Sequence, residues 1–188
     1  MRLNIYLISH PIIKQLSQDI INSNLINEQI YKHNTKLLGY LLIYETIRRW
    51  VNIHYIYIKN IESYKEIYKF DTQESYIILT DLIECNDIIS NISTILPKMG
   101  LQHINFKNNQ QDNYEYIQTI GKEKIIIVEK FLNNYSVIRL IDYLVKKQKI
   151  KSSQIKIMCV TCSHSICEYL GNQYQSLEIY TTKIYKYQ

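Results

Sequence analysis

The sequence has 188 residues, a formal net charge of +5 and a pI near 8.8, enough chain for one domain that buries roughly 70% of its unfolded surface. Its composition is lopsided, with 36 isoleucines and 18 tyrosines against no alanine, four glycines and two prolines. No stretch approaches the ~20 apolar residues of a membrane span, and the N-terminus lacks a basic-then-apolar signal layout; a soluble chain with reduced thiols at Cys85, Cys159, Cys162 and Cys167 is expected.

Met1–Ile8 alternates apolar and polar positions and reads as a short strand or arm, ended by His10-Pro11. Ile12–Leu25 repeats apolar residues at helical spacing, and Ile30–Trp50 is a longer helix with a wide apolar face, ending in Arg48-Arg49 where cations suit the helix dipole. Val51–Ile58 is a period-2 run that suits a half-buried strand, and Tyr64–Phe70 a weaker one. Together they predict a small antiparallel appendage.

From Tyr76 the pattern changes to unbroken apolar runs: Tyr76–Leu79, Ile104–Phe106, Ile125–Val128, Ile155–Val160 and Leu177–Tyr180. Such runs, separated by the helical segments Ile83–Leu96, Ser136–Lys147 and Ser163–Leu170, are what strands buried on both faces of a parallel sheet look like. The predicted architecture is α/β: a doubly wound parallel sheet with helices on both faces, an N-terminal helical section and a small β appendage. It forms a single domain over 1–188, with arm and helices in 1–50, appendage in 51–75 and α/β core in 76–188.

The chain is organised around Lys124–Val145, which reads as buried strand, turn and amphipathic helix, the layout that commonly holds a phosphate group. A phosphate cradle brings several N–H groups together and draws on glycine to do so. Here the turn is Glu129-Lys130-Phe131-Leu132-Asn133-Asn134-Tyr135-Ser136, without a glycine. Ligands of open α/β sheets sit beyond the carboxyl ends of the strands, which also directs attention to Thr80–Cys85, Lys107–Asn113 and Thr161–Ser165. Asp81, Glu84 and Asp87 fit a helix N-terminus better than a metal set. Lys107–Asn113, rich in Asn and Gln, reads as a flexible loop. Cys159, Cys162, His164 and Cys167 superficially resemble a metal set, but zinc sites draw two ligand pairs from separated parts of a chain. Buried thiols with Ser163 capping a helix are the favoured reading, ahead of zinc or a Cys-His nucleophile pair. Lys146, Lys147, Lys149 and Lys151 read as a solvated helix end.

Four segments, in order, resemble the uracil phosphoribosyltransferase family: His10-Pro11-Ile12-Ile13-Lys14 is similar to its HPL(V/I)K opening, and Leu41–Thr46 to its LLxYEAT helix. Ile155–Thr161 is similar to its IKVLxLVAA strand, and Leu177–Ile184 to its (V/I)YTAxID strand. The resemblance implies a phosphoribosyltransferase fold and, for an intact member, synthesis of UMP from uracil and phosphoribosyl pyrophosphate with Mg²⁺. It also implies which positions should carry that chemistry. The family's diphosphate loop, DPMLATGGS, corresponds to Glu129–Ser136, which is one residue shorter and matches outright only at Leu132 and Ser136, with Glu129 conservative. The RAG motif should follow Tyr76–Leu79, where Leu82-Ile83-Glu84-Cys85 stands without an arginine. The segment that closes the uracil pocket, containing PGLGDAGDR, has no counterpart before Gln188.

The expectation is therefore a degenerate, C-terminally truncated family member with no catalytic residues and no cofactor, acting as a binding or structural component, as a homodimer or as a subunit of a larger assembly. Ile, Asn, Lys and Tyr have AT-rich codons, which points to a plastid genome and a stromal protein. The alternative is an active uracil phosphoribosyltransferase, completed by a partner chain and using Mg²⁺ with phosphoribosyl pyrophosphate. A third and less favoured reading, motivated by the basic balance and Lys146–Lys151, is a nucleotide- or RNA-binding regulator.

Overall fold

The structure, a computed structural model, describes residues 4–22, 26–61, 63–71, 73–96, 98–106, 114, 117 and 122–186. Strand β1 (Asn4–Leu7) leads into helix α1 (Pro11–Ile21), whose start is set by Pro11 in the first turn and by the His10 ring, which accepts a hydrogen bond from the Ile12 amide. Helix α2 (Glu28–Ile47) starts at Asn27, whose side chain accepts from the Gln29 amide. It buries Leu38, Gly39, Leu42, Ile43, Thr46 and Ile47 against the sheet and its neighbouring helices.

β2 (Ile53–Lys59) and β3 (Tyr64–Phe70) pair antiparallel as a separate two-stranded ribbon. The predicted appendage is present, but the expected half-burial is not: every residue of β2 is exposed, and in β3 only Ile67 is half-buried. The chain then alternates: β4 (Tyr76–Thr80), α3 (Leu82–Ile89), α4 (Ile92–Ile95), β5 (Met99–His103), β6 (Lys124–Leu132), α5 (Ser136–Asp142), β7 (Ile155–Ser163), α6 (His164–Gln173), β8 (Glu178–Thr181) and β9 (Lys183–Tyr185).

Among the described residues β1, β4–β8 and β9 form one seven-stranded sheet in the order β1-β8-β7-β6-β4-β5, with β9 joining the far end of β7, and all its pairings are parallel. Alternate side chains feed two cores. Ile77, Leu79, Ile125, Ile127, Ile155 and Ile157 point to the layer of α5 and α6. Ile78, Ile126, Val128, Met158 and Val160 point to that of α1, α2 and α3. Burial on both faces is why these strands read as unbroken apolar runs. The expected α/β class, with helices on both faces of a parallel sheet, is observed.

Three boundaries differ from expectation. The strand predicted at Ile104–Phe106 lies earlier, at Met99–His103, because β5 is a partly exposed edge strand and carries no apolar run; Ile104 and Phe106 are buried after it has ended. The helix predicted over Ile83–Leu96 breaks at Ser90-Asn91, where the Ser90 hydroxyl donates to the Asp87 carbonyl and Thr94 to that of Asn91. β9 has no counterpart in the sequence reading. The loop Lys107–Asn113 lies outside the described residues.

Candidate functional site

Chain progression reverses between β4 and β6. From β6 the chain steps outward through β7 to β8, and from β4 it steps the other way to β5. The crevice beyond the carboxyl ends of β4 and β6 is therefore where this architecture holds a ligand.

On the β4 side, Asp81 is buried and its carboxylate accepts from the Ile83 amide, capping α3. His103, at the end of β5, accepts from the Leu82 amide at 3.1 Å and lies 4.0 Å from Asp81. Glu84 is exposed in the first turn of α3. The expectation that Asp81, Glu84 and Asp87 serve a helix N-terminus agrees with the Asp81 cap and with Glu84 in the first turn, but not with Asp87, which lies in the second half of α3. No arginine stands at this position.

On the β6 side the predicted turn is mostly strand. β6 continues four residues past Val128, with Glu129 opposite Cys159, Phe131 opposite Thr161 and Leu132 opposite Cys162 in β7. Without glycine or proline to break the ladder, the backbone of Glu129–Leu132 extends the sheet. Only Asn133, Asn134 and Tyr135 turn the chain, the Asn133 amide closing back on the Phe131 carbonyl at 2.9 Å. Ser136 begins α5, where its hydroxyl accepts from Arg139 at 3.3 Å. Tyr135 is exposed and meets Tyr169 edge-on. Lys130 reaches away to α2, donating to the Tyr31 hydroxyl at 3.3 Å and lying over its ring.

Glu129 is the group most perturbed by this arrangement. It is 8% exposed, and one carboxyl oxygen has no hydrogen-bond partner. Burial first, then the negative charges of Glu84 and Asp81, push its pKa up to about 8. Among the described residues the crevice thus presents acids, one of them protonated at neutral pH, while Lys130 is engaged by α2 and Arg139 by Ser136. The cavity nearest the turn, lined by Ile21, Phe131, Leu132, Asn133, Thr161, Ser163 and Tyr185, holds about 210 Å³, below the ~300–1,000 Å³ of ordinary ligand pockets.

The cysteine set separates. Cys159, Cys162 and Cys167 are buried, Cys162 and Cys167 with sulfurs 2.9 Å apart, while the His164 ring lies on the exposed side of α6 near Glu168. Hydrogen bonding to Cys159 raises the Cys162 pKa, and hydrogen bonding to Cys162 together with burial raises that of Cys167, so both thiols stay protonated. Among the described residues no three His, Cys, Asp or Glu side chains are grouped to hold a metal ion. Ser163 takes the cap position of α6, but its hydroxyl bonds to Ser165 rather than to the helix backbone.

The chain is 27% identical over 184 residues to a uracil phosphoribosyltransferase homolog of Porphyra purpurea, covering 98% of this chain and 89% of that one. It is 28% identical over 187 residues to the homolog of Pyropia yezoensis, with the same coverage. It is also 25% identical over 191 residues to the uracil phosphoribosyltransferase of Nicotiana tabacum, covering 95% and 83% of the two chains. No family model matches. Among solved structures, the AQ2163 protein of Aquifex aeolicus superposes with a TM-score of 0.74 over 97% of this chain and 88% of that one at 14% identity, a likeness of fold. The resemblance read from the four segments is borne out over nearly the whole chain.

Proposed function

Starting from a chain similar along its length to uracil phosphoribosyltransferase homologs, we propose that it keeps the phosphoribosyltransferase framework, has lost catalysis, and serves as a binding or structural component of an assembly in a plastid. The observation that carries this reading is the course of β6. Transfer of a phosphoribosyl group depends on gripping pyrophosphate and orienting both substrates. Here the backbone of Glu129–Leu132 is committed to the β6–β7 ladder instead of a cradle. The crevice adds Asp81, Glu84 and Glu129 where an anion would sit, and no arginine stands after β4 to offset them.

The ribbon β2–β3 supports the binding role. By register, Ile53 with Phe70, Tyr55 with Tyr68, Tyr57 with Glu66, and Lys59 with Tyr64 share one face. Its six apolar and aromatic side chains are 46–71% exposed. Tyrosine supplies contact area and a hydrogen-bonding group together, which suits a protein interface. The plastid origin rests on codon-biased composition and on the red-algal source of two relatives.

The test is direct. Incubated with labelled uracil and the Mg²⁺ complex of phosphoribosyl pyrophosphate as substrates, the purified chain should form no UMP above background; sustained UMP formation overturns the proposal. The likeness to a relative named as the enzyme itself favours the second reading, an active uracil phosphoribosyltransferase completed by a partner. That reading requires calorimetrically measurable binding of phosphoribosyl pyrophosphate.

A further inference from the structure

β1 ends the sheet on one side. It pairs with β8 through Asn4–Leu7, and the Ile8 amide donates to the Thr181 carbonyl at 2.9 Å. In a parallel ladder a residue's N–H and C=O point to the same side, and that side alternates along the strand. Ile8, Tyr6 and Asn4 thus turn their backbone groups to β8, while Ile5 and Leu7 turn theirs outward. Among the described residues no strand lies beyond β1, which leaves a short row of backbone groups able to template another chain.

Beside this edge is a cleft of about 690 Å³. One wall is the extended chain from Ile5 to His10; the other is Glu45, Arg48 and Arg49 from the end of α2, with Tyr180 contributing from β8. Arg49 donates to the Tyr6 hydroxyl at 2.8 Å and lies 5.0 Å from the centre of that ring, which is itself stacked on Tyr180 at 4.7 Å. Arg48 lies 3.6 Å from Glu45 and is two-thirds exposed. The walls therefore carry two guanidinium groups against one carboxylate.

We propose that β1 and this cleft accept an extended segment of a partner protein. The segment adds a strand to the sheet edge and presents acidic side chains at alternate positions to Arg48 and Arg49. Backbone pairing with Ile5 and Leu7 supplies the hold, and the period-2 alternation of a strand supplies the acidic pattern. A second copy of this chain fits poorly. A β1 strand from a second copy, Asn4-Ile5-Tyr6-Leu7, brings no acidic side chain to set against Arg48 and Arg49. A nucleotide base fits poorly as well, since the Tyr6 ring is already engaged by Tyr180 and Arg49. β8 and β7 separate β1 from β6, so this surface is distinct from the crevice at β4 and β6. UMP formation would overturn the pseudoenzyme reading and leave this one standing.

The probe is a fluorescein-labelled peptide of seven alternating glutamate and valine residues, titrated against the full chain by anisotropy. Saturable binding is expected, with loss of about tenfold or more in affinity for Arg48→Glu/Arg49→Glu. A comparable loss is expected when the alternate peptide amides facing β1 are N-methylated without change of charge. The Leu7 amide should exchange more slowly in the complex. Circular dichroism reports whether the double variant folds; if it does not, Arg48→Glu alone, which leaves Arg49 on Tyr6, should still weaken binding several-fold. Absence of saturable binding overturns the proposal. So does equal affinity of the N-methylated peptide, which would reduce the effect to general charge attraction, and so does displacement of the peptide by a single-stranded oligonucleotide of higher affinity.

Discussion

Lys149 has a φ of 56°, the left-handed region, directly after the helical segment that begins at α5. The Ile150 amide donates to the Leu144 carbonyl at 3.0 Å and that of Gln148 to Tyr143, so the helix ends in a turn in which glycine is the usual occupant. A side chain in this conformation costs about 1–2 kcal/mol. Lys149→Gly should stabilise the chain by about 1 kcal/mol, raising Tm by about 2–4 °C, read by thermal unfolding. Gly39 is the opposite case. A Cβ there would meet the Ile88 carbonyl oxygen at 1.9 Å, so α2 and α3 cross in contact through the missing side chain. Helix propensity favours alanine by about 1 kcal/mol. Separating two packed helices costs more, and Gly39→Ala should destabilise by about 1–3 kcal/mol in urea unfolding. Sequence pattern reaches neither position: Lys149 was legible only as one cation in a helix end, and Gly39 only as a residue within a helix.

At the scale of elements, β6 both confirms and corrects what its sequence implies. Ile125–Val128 announces a buried strand because both faces are apolar. Glu129–Leu132 does not announce its continuation, because the pairing that extends it comes from β7 and is invisible in the local pattern. The same difference separates the legible strands β4, β7 and β8 from β5, whose partial exposure at the sheet edge leaves no run to read. The absence of a glycine cradle was legible. The raised pKa of Glu129 was not, because it depends first on burial in the folded sheet and then on Glu84 and Asp81 beyond another strand's end. That pKa sets a pH dependence. The folded state holds its proton up to about pH 8, while the unfolded carboxyl releases it near its ordinary pKa of 4.5. Stability contributed by the buried neutral acid is thus fully present below pH 4.5 and falls by about 1.4 kcal/mol per pH unit as pH rises towards 8. Urea unfolding of Glu129→Gln across this window should lose that slope; an unchanged slope would place its origin elsewhere.

For the whole molecule, the ribbon β2–β3 is the part that the rest of the chain does not explain. A two-stranded ribbon has marginal stability alone in water, and this one carries its aromatic face uncovered. If that face binds a second copy of this chain, the chain should sediment above its 22.6 kDa monomer mass at micromolar concentration. The variant Tyr57→Ser/Tyr64→Ser should then sediment at the monomer mass with little change in Tm; a monomeric parent chain would exclude self-association by this route. Lys156 shows what covering does elsewhere. It is 1% exposed and contacts the Thr46 carbonyl, the Tyr180 hydroxyl and Glu178 at 2.8, 3.2 and 3.0 Å, beneath the Trp50 ring. Burial lowers its pKa while Glu178 works to hold the charge.

The sheet order also imposes a timetable. β1 is made well before its partner β8, which spans Glu178–Thr181. At a synthesis rate of ~5–20 residues per second, roughly 9–35 seconds pass between translation of the two strands. During that interval the central strands can assemble as they emerge, whereas β1 must wait for β8. For that interval β1 lacks its partner in the sheet, and its final place is decided only when β8 has emerged.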